Sequence, residues 1–397
     1  MACRRSVAFL VALAFTLSAL IAAPAAAQTV VKIGLISSYT GFVAQAGDQA
    51  QKAIDLYVKE HDKDLPPDVK IEILRRDDTA NPEVGKRLAQ ELITREHVQL
   101  LTGVVLSPIA AAIAPLTAEA KVPFLISIAA GGSAIPRISP YVARVSFTLW
   151  QQGYPIGKWA AEQGWKTGYT AVSDFIPGHD SEASFTKGFT DGGGAIVGAV
   201  RMPTQSPDFV PFMQRIRDAK PDVAFLWIPS TQATALMKAI RDLQLREAGI
   251  HLTSAQDLLP DVPDPGVALG LITAGMYSTA AERPANTAFL TAWQRAYGDA
   301  VIPDFLSVNA WDGMAAIYDL VKTTKGKFTA DEAMTFLKGW KNSDSPRGPI
   351  MIDPDTRDIV QNVYIRRLDK VEGKLANVEI ATIPAVKDPW KELNPAK

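Results

Sequence analysis

The sequence predicts an α/β fold of two lobes, each a mostly parallel sheet flanked by helices. Short apolar runs typical of buried strands alternate with helical patterns along most of the chain, as in sheets covered by helices. This alternation occurs twice in succession, so we expect two such units. Three further helical patterns follow the second unit, and they need a sheet to cover. The chain is therefore expected to return to the first lobe, with several hinge crossings between the lobes.

The first unit is defined by four apolar runs and the helical patterns between them. The runs lie at residues 30–37, 70–78, 98–105 and 122–130. After the first run, apolar residues in the stretch 50–58 recur at helical spacing. Asn81 and Ser107 each precede a proline suited to a first helical turn, so both are expected to cap helices.

The second unit repeats this organisation and is followed by a different tail. Its apolar runs lie at residues 168–175, 195–202, 221–229 and 250–255. Helical patterns begin near Ser181, Pro207, Thr231, Ala285, Asp304 and Thr329, and the strand-rich tail after them is predicted to form a hairpin. We predict a first lobe of residues 28–146 and 276–345, and a second lobe of residues 147–275 and 346–397.

The N-terminal 27 residues read as a secretory signal peptide. Two arginines precede a long apolar stretch that ends in small residues at Ala25–Ala27. A membrane anchor is the other interpretation, but the cleavage-like end favours removal. The single cysteine, Cys3, lies in this segment, so the mature chain has no disulfide or thiol chemistry. With 41 Lys and Arg against 42 Asp and Glu, no basic field suggests nucleic acid.

Three turns that follow strands of the first lobe are unusually polar and small. They are residues 37–48, 102–108 and 127–134. In open α/β sheets ligands bind beyond the carboxyl ends of the strands, and N–H groups at a helix start favour an anionic group. Each turn alone is explained by tight turns and caps, whereas three at consecutive strand ends predict one wall of a ligand cleft.

Several other residues are candidates for the opposite wall. His179 lies at a strand-to-helix turn of the second lobe. Trp150, Trp227 and Tyr277 fall at strand ends or crossings, where they either contact ligand or pack between the lobes. The sequence contains no nucleotide-binding, metalloprotease or hydrolase motif, so we expect no catalytic residue, no metal and no cofactor.

Taken in order, the stretches resemble a known family. They are IGLISSYTGFVAQAGDQAQKAID, DDTANPEVGKRLAQELITREHVQLLTG, SPIAAAIAPLTAEAKVPFLIS, PDFVPFMQRIRDAKPDVAFLW and VNAWDGMAAIYDLVK. The chain resembles the leucine/isoleucine/valine-binding proteins, which are periplasmic substrate-binding proteins of ABC importers with the type I periplasmic-binding-protein fold. The resemblance covers nearly the whole mature chain and implies a ligand held between two lobes.

The resemblance also implies where a ligand carboxylate is held. In the family a serine after the third strand and backbone and hydroxyl groups after the fourth strand hold it. Those positions fall on Ser107 and on Ala129, Ala130 and Gly131. Gly131 stands where the family has a hydroxyl residue, so one side-chain contact is absent while the N–H remains.

The first turn and the second lobe depart from the amino-acid binders of the family. Ala46 stands where those proteins have an aromatic residue, which opens that wall, with Tyr39 or Phe42 as a replacement. Gln45 in the same turn is a further candidate contact. Asp257 lies near the position of the acidic residue that holds a ligand ammonium, although its side chain is shorter.

The function implied by the resemblance is capture of a small carboxylate by hinge closure in the periplasm. The stretches PGHDSEASFTKGFTDGGGAIVGAVRMP and NTAFLTAWQRAYGDAVIPDFLSVNAWDGMAAIYDLV resemble the branch that binds aromatic or related organic acids. A branched-chain amino acid is the alternative ligand, and a sensor subunit or secreted α/β enzyme is an alternative role. We expect a monomer whose partner is an ABC permease in the inner membrane, with no nucleic acid.

Overall fold

The structure is a computed structural model that describes residues 28–205, 208–256 and 265–396. The predicted signal peptide, residues 1–27, and the candidate ligand contact Asp257 lie outside the described residues. Within those residues the chain forms the predicted α/β architecture, with two sheets covered by helices.

The first sheet contains five parallel strands in the order β2-β1-β3-β4-β5. They are β1 (Thr29–Ser37), β2 (Val69–Asp77), β3 (Leu100–Gly103), β4 (Phe124–Ile126) and β5 (Val142–Arg144). The helices between them are α1 (Ala44–Glu60), α2 (Pro82–Thr94), α3 (Ser107–Ala120) and α4 (Ile135–Ile138). Because all five strands run the same way, the loops that follow them meet at one edge of the sheet.

The second sheet combines a parallel centre with an antiparallel flank. Its first strands are β6 (Thr167–Ser173), β7 (Ala195–Met202), β8 (Val223–Trp227), β9 (His251–Ala255) and β10 (Ile272–Gly275), in the parallel order β7-β6-β8-β9-β10. The flank adds β11 (Lys341–Asn342), β12 (Ile350–Ile352), β13 (Ile359–Val371) and β14 (Lys374–Val386), with β13 antiparallel to β10. Strands β13 and β14 are the predicted hairpin.

The remaining helices come from two parts of the chain, and one of the later helices packs against a helix of the first sheet. The second sheet is preceded or accompanied by α5 (Leu149–Glu162), α6 (Ile176–Asp191), α7 (Val210–Ala219) and α8 (Ala233–Asp242). Later helices are α9 (Pro284–Tyr297), α10 (Phe305–Thr324), α11 (Ala330–Leu337) and α12 (Pro389–Leu393). Of these, α10 packs on α1, where Trp311 meets Tyr57 edge to face at 4.8 Å.

The chain therefore passes between the two sheets three times, as the late helical patterns predict. The passages lie at residues 145–148, 276–283 and 338–340. The predicted lobe boundaries, after residues 146, 275 and 345, stay a prediction. None of the described helices is both long enough and apolar enough to cross a membrane.

Cap residues account for several helix starts. Asn81 accepts hydrogen bonds from the N–H groups of Glu83 and Val84 and caps α2, as predicted. Asp304 and Thr329, near which helices are predicted, cap α10 and α11 through their side chains. The predicted cap at Ser107 is wrong, because Leu106 is the residue before α3 and its side chain offers no cap.

Candidate functional site

A pocket lies between the carboxyl ends of the strands of the two sheets. On the side of the first sheet it is lined by Val43, Ala46, Val105, Leu106, Ser107, Ile128 and Ala130. On the side of the second sheet it is lined by Phe175, Pro177, Trp227, Pro229, Ser230, Thr231 and Gln256. The pocket is completed from the first passage, the start of α5 and the start of α10 by Phe147, Leu149, Phe305 and Leu306. The concave shape and the mainly apolar lining suit a small organic ligand.

Ser107 is the polar side chain of the first-sheet wall. Helix α3 begins one residue earlier than predicted, so Ser107 is its first residue. The residue is 1% exposed. Its Oγ accepts a hydrogen bond from the N–H of Gly131 at 2.9 Å. A hydroxyl also donates one hydrogen bond, and no acceptor for it occurs among the described residues. That hydrogen is therefore available to an anionic ligand at the start of a helix, where the dipole favours negative charge.

Two of the three candidate residues in the loop after β4 lie at the pocket wall beside Ser107. Ala130 lines the pocket, and Gly131 donates to Ser107. A Cβ at residue 131 would lie 3.0 Å from backbone atoms of Pro177 in the second lobe and 3.0 Å from the Ser107 Oγ. The close approach of the two lobes therefore favours glycine at this position. Ala129 is buried, its N–H donates to the carbonyl of Val104 at 2.9 Å, and it does not line the pocket.

The first turn contributes Ala46 to the pocket and keeps its other candidates outside. Ala46, 7% exposed, lines the wall where the resemblance implies an opening. The Tyr39 hydroxyl donates to Gln51 at 2.5 Å in a separate surface cleft, and burial raises its pKa to about 12. Phe42 is half-buried against the core, and Gln45 is exposed.

Of the three candidate aromatic residues, Trp227 alone lines the pocket. It is the last residue of β8, 4% exposed, and its ring meets that of Phe175 at a centroid distance of 5.6 Å. Trp150 lies in α5 and Tyr277 in the second passage, both buried outside the pocket lining. The backbone carbonyl of Tyr277 accepts from Arg366.

Three aromatic residues that the sequence analysis missed also line the pocket. They are Phe147, Phe175 and Phe305. Phe147 and Phe305 meet edge to face at 5.8 Å, which joins the first passage to the start of α10. Two signals in the sequence could have identified two of them. Phe175 lies at a strand end, and Phe305 directly follows the Asp304 cap.

Charge is absent from the described part of the pocket lining. His179, a candidate from the sequence, lies at the surface, where its Nε2 is 2.7 Å from Asp174 Oδ1. Asp180 links the lobes outside the lining, since its Oδ2 accepts the N–H of Gly132 at 2.6 Å. Burial raises the pKa of Asp180, and this hydrogen bond and Arg144 oppose that rise. A bound carboxylate would thus meet hydroxyl and N–H donors without a direct ion pair within the described lining.

A comparison with protein families decides the class of this molecule. The profile described as "Periplasmic binding protein" matches residues 30–374. The chain belongs to the periplasmic binding protein family. A curated relative from Brucella suis, named "Leu/Ile/Val-binding protein homolog 6", is 39% identical over 375 residues, covering 93% of this chain and 95% of the relative.

Solved structures agree with that membership. A solute-binding protein of an ABC transporter from Rhodopseudomonas palustris BisB5, in complex with 3,4-dihydroxybenzoic acid, has 43% identity and a TM-score of 0.86. The match covers 92% of this chain and 100% of that one. Another R. palustris solute-binding protein, in complex with 4-hydroxybenzoate, has 39% identity and a TM-score of 0.84, covering 90% and 98%.

These matches confirm two predictions made from the sequence. The first is the two-lobed fold, which is the fold of this family. The second is that the protein binds a solute and does not catalyse a reaction, as periplasmic binding proteins do. The pocket between the sheets lies where such a fold binds its ligand, beyond the carboxyl ends of both sets of strands.

Proposed function

We propose that this periplasmic binding protein captures a small aromatic carboxylate in the periplasm and delivers it to an ABC permease. The observation that carries the proposal is the composition of the pocket. Aromatic rings of Phe147, Phe175, Trp227 and Phe305 surround it, with Ser107 at a helix start on one wall. The relatives solved with hydroxybenzoates, at 39% and 43% identity, support this ligand class.

The ring of such a ligand would gain affinity from burial against these apolar walls. Removing apolar surface from water is worth roughly 25 cal/mol per Å² before the entropy cost of binding is subtracted. The carboxylate would accept hydrogen bonds from the Ser107 hydroxyl and the Ser107 N–H at the start of α3. The next residues of α3 offer no further N–H group, because Pro108 has none and those of Ile109 and Ala110 donate to the Leu106 carbonyl. Because the two walls belong to different lobes, the ligand favours the closed arrangement by contacting both.

Ser107→Ala is expected to weaken binding of benzoate by about 1–3 kcal/mol, because it removes a hydrogen bond to a charged group and frees the Gly131 N–H. Isothermal titration of benzoate into both proteins measures the change. Ser133→Ala is the matched control, since Ser133 is 2% exposed and lies in the loop after β4, outside the pocket lining. Equal affinity of the wild type and Ser107→Ala would remove Ser107 from the site.

A thermal-shift screen of the mature protein tests the ligand class. The panel contains benzoate, 4-hydroxybenzoate, leucine, valine, acetate and butyrate at saturating concentration. A ligand present at 100 times its Kd adds about 2.7 kcal/mol to stability, which raises the midpoint measurably. A shift confined to aromatic acids supports the proposal. A shift with leucine or valine instead would refute it and identify a branched-chain amino-acid binder.

A further inference from the structure

Polar side chains of the pocket are distributed unevenly between its two walls. On the first-sheet side the only polar side chain among the described lining residues is that of Ser107. On the second-sheet side there are four, from Trp227 at the end of β8, Ser230 and Thr231 after it, and Gln256 after β9. If the carboxylate lies at Ser107, these four groups have no role in holding it.

The indole of Trp227 is the most informative of these groups. Its Nε1 is buried and has no hydrogen-bond partner among the described residues. Buried N–H groups are nearly always paired, and an unpaired one destabilises the protein. A ligand oxygen that accepted this hydrogen bond would be favoured over a ligand with an apolar group in the same place.

Gln256 supports the same assignment from a neighbouring strand. It is 9% exposed and has a φ of 89°, a backbone conformation that residues with side chains rarely adopt. Its N–H donates to the Ala274 carbonyl at 2.7 Å, which fixes the backbone there. Strained backbone of this kind concentrates at ligand sites. The Gln256 amide can both donate and accept, and so can match a hydroxyl.

We infer that the second-lobe wall, formed by Trp227 and Gln256 with Ser230 and Thr231, is a subsite for a hydroxyl group on the ligand ring. The inference rests on the proposed function, because it takes the carboxylate to lie at Ser107. It narrows the ligand class from aromatic carboxylates to phenolic acids. It also makes Trp227 and Gln256 specificity-determining residues, since apolar walls alone discriminate weakly against a ligand that lacks the hydroxyl.

The test compares 4-hydroxybenzoate with 4-methylbenzoate, which has the same size but no hydroxyl. Isothermal titration of the mature protein is expected to give a Kd about tenfold or more lower for 4-hydroxybenzoate. Trp227→Phe keeps an aromatic wall and removes the N–H, and Gln256→Met keeps the side-chain length and removes the amide. Each change is expected to reduce the ratio of the two Kd values, because the variant loses more affinity for 4-hydroxybenzoate than for 4-methylbenzoate.

The outcomes separate this inference from the proposed function. Equal affinity of the wild type for both acids overturns the subsite and leaves aromatic-carboxylate binding intact. A ratio that survives both substitutions overturns the assignment to these residues. If neither acid nor benzoate binds, the proposed function itself fails, and the subsite fails with it. Circular dichroism of both variants establishes that they are folded before titration.

Discussion

Replacing Arg347 with Met is expected to destabilise the fold by about 3–5 kcal/mol. The guanidinium is 1% exposed, and its Nε donates to Asp312 Oδ2 at 2.7 Å. Its Nη atoms donate to the carbonyls of Val145 and Ser146 in the first passage, at 2.7 and 2.6 Å, and to Gln361 of β13 at 2.8 Å. One side chain thus ties together the first passage between the lobes, α10 and the second sheet.

The loss is large because Met leaves a buried carboxylate without its cation. Asp312 is fully buried, and burial raises its pKa while the charge of Arg347 opposes that rise. Urea unfolding followed by circular dichroism measures the change. Arg367→Met is the matched control, because Arg367 and its partner Asp369 are 50% and 45% exposed, and an exposed pair contributes at most about 1 kcal/mol. Equal effects of the two substitutions would contradict this account of Arg347.

The second large effect concerns pH. Asp388 is 2% exposed and caps α12 by accepting the N–H of Trp390 at 3.1 Å. Burial, together with the nearby Asp358 carboxylate, raises the pKa of Asp388 to about 6. Because folding raises this pKa, the protonated carboxyl group favours the folded state, and its full contribution to stability is present below the unfolded pKa, near 4. That contribution is lost as the pH rises through 6. Asp388→Asn keeps a cap-forming side chain and removes the titration.

The free energy of unfolding of Asp388→Asn, relative to the wild type, is therefore expected to rise by up to about 3 kcal/mol between pH 4 and pH 7. Urea unfolding across this range measures it. Asp222→Asn is the control, because N–H groups of Lys166 and Thr167 lower the pKa of Asp222, which is the opposite direction to the shift of Asp388. The stability of Asp222→Asn relative to the wild type should therefore not rise between pH 4 and pH 7. The absence of a rise for Asp388→Asn would contradict the assignment.

Much of the fold could be predicted from periodicity, and its main omission has a physical cause. The sequence analysis did not identify β5 or α5 as elements. Strand β5 has only three residues. Helix α5 contains Gly153, Pro155 and Gly157, which lower intrinsic helix propensity. The two glycines are nonetheless required by close packing on α6, where a Cβ would lie 2.0 Å from Ser184 Oγ or 2.5 Å from the Phe185 carbonyl. Tertiary contact therefore overrides local preference in this helix.

The pocket was predictable only in part, because some of its residues are far apart in the sequence. Ser107 and Ala130 follow strands and Trp227 ends one, so a rule about strand ends could identify them. Phe147 and Phe305 are far apart in the chain and meet because the chain passes between the sheets repeatedly. No local pattern encodes such a meeting. The role of Ser107 also depends on a one-residue shift of a helix start, which lies within the uncertainty of sequence patterns.

A crystal structure of the mature protein with 4-hydroxybenzoate tests the central claim most directly. We expect the ring between Phe175, Trp227 and Phe305, with the carboxylate within hydrogen-bond distance of Ser107 Oγ and the hydroxyl toward Gln256. A ligand bound outside this pocket, or one with its carboxylate on the second-lobe wall, would contradict the account.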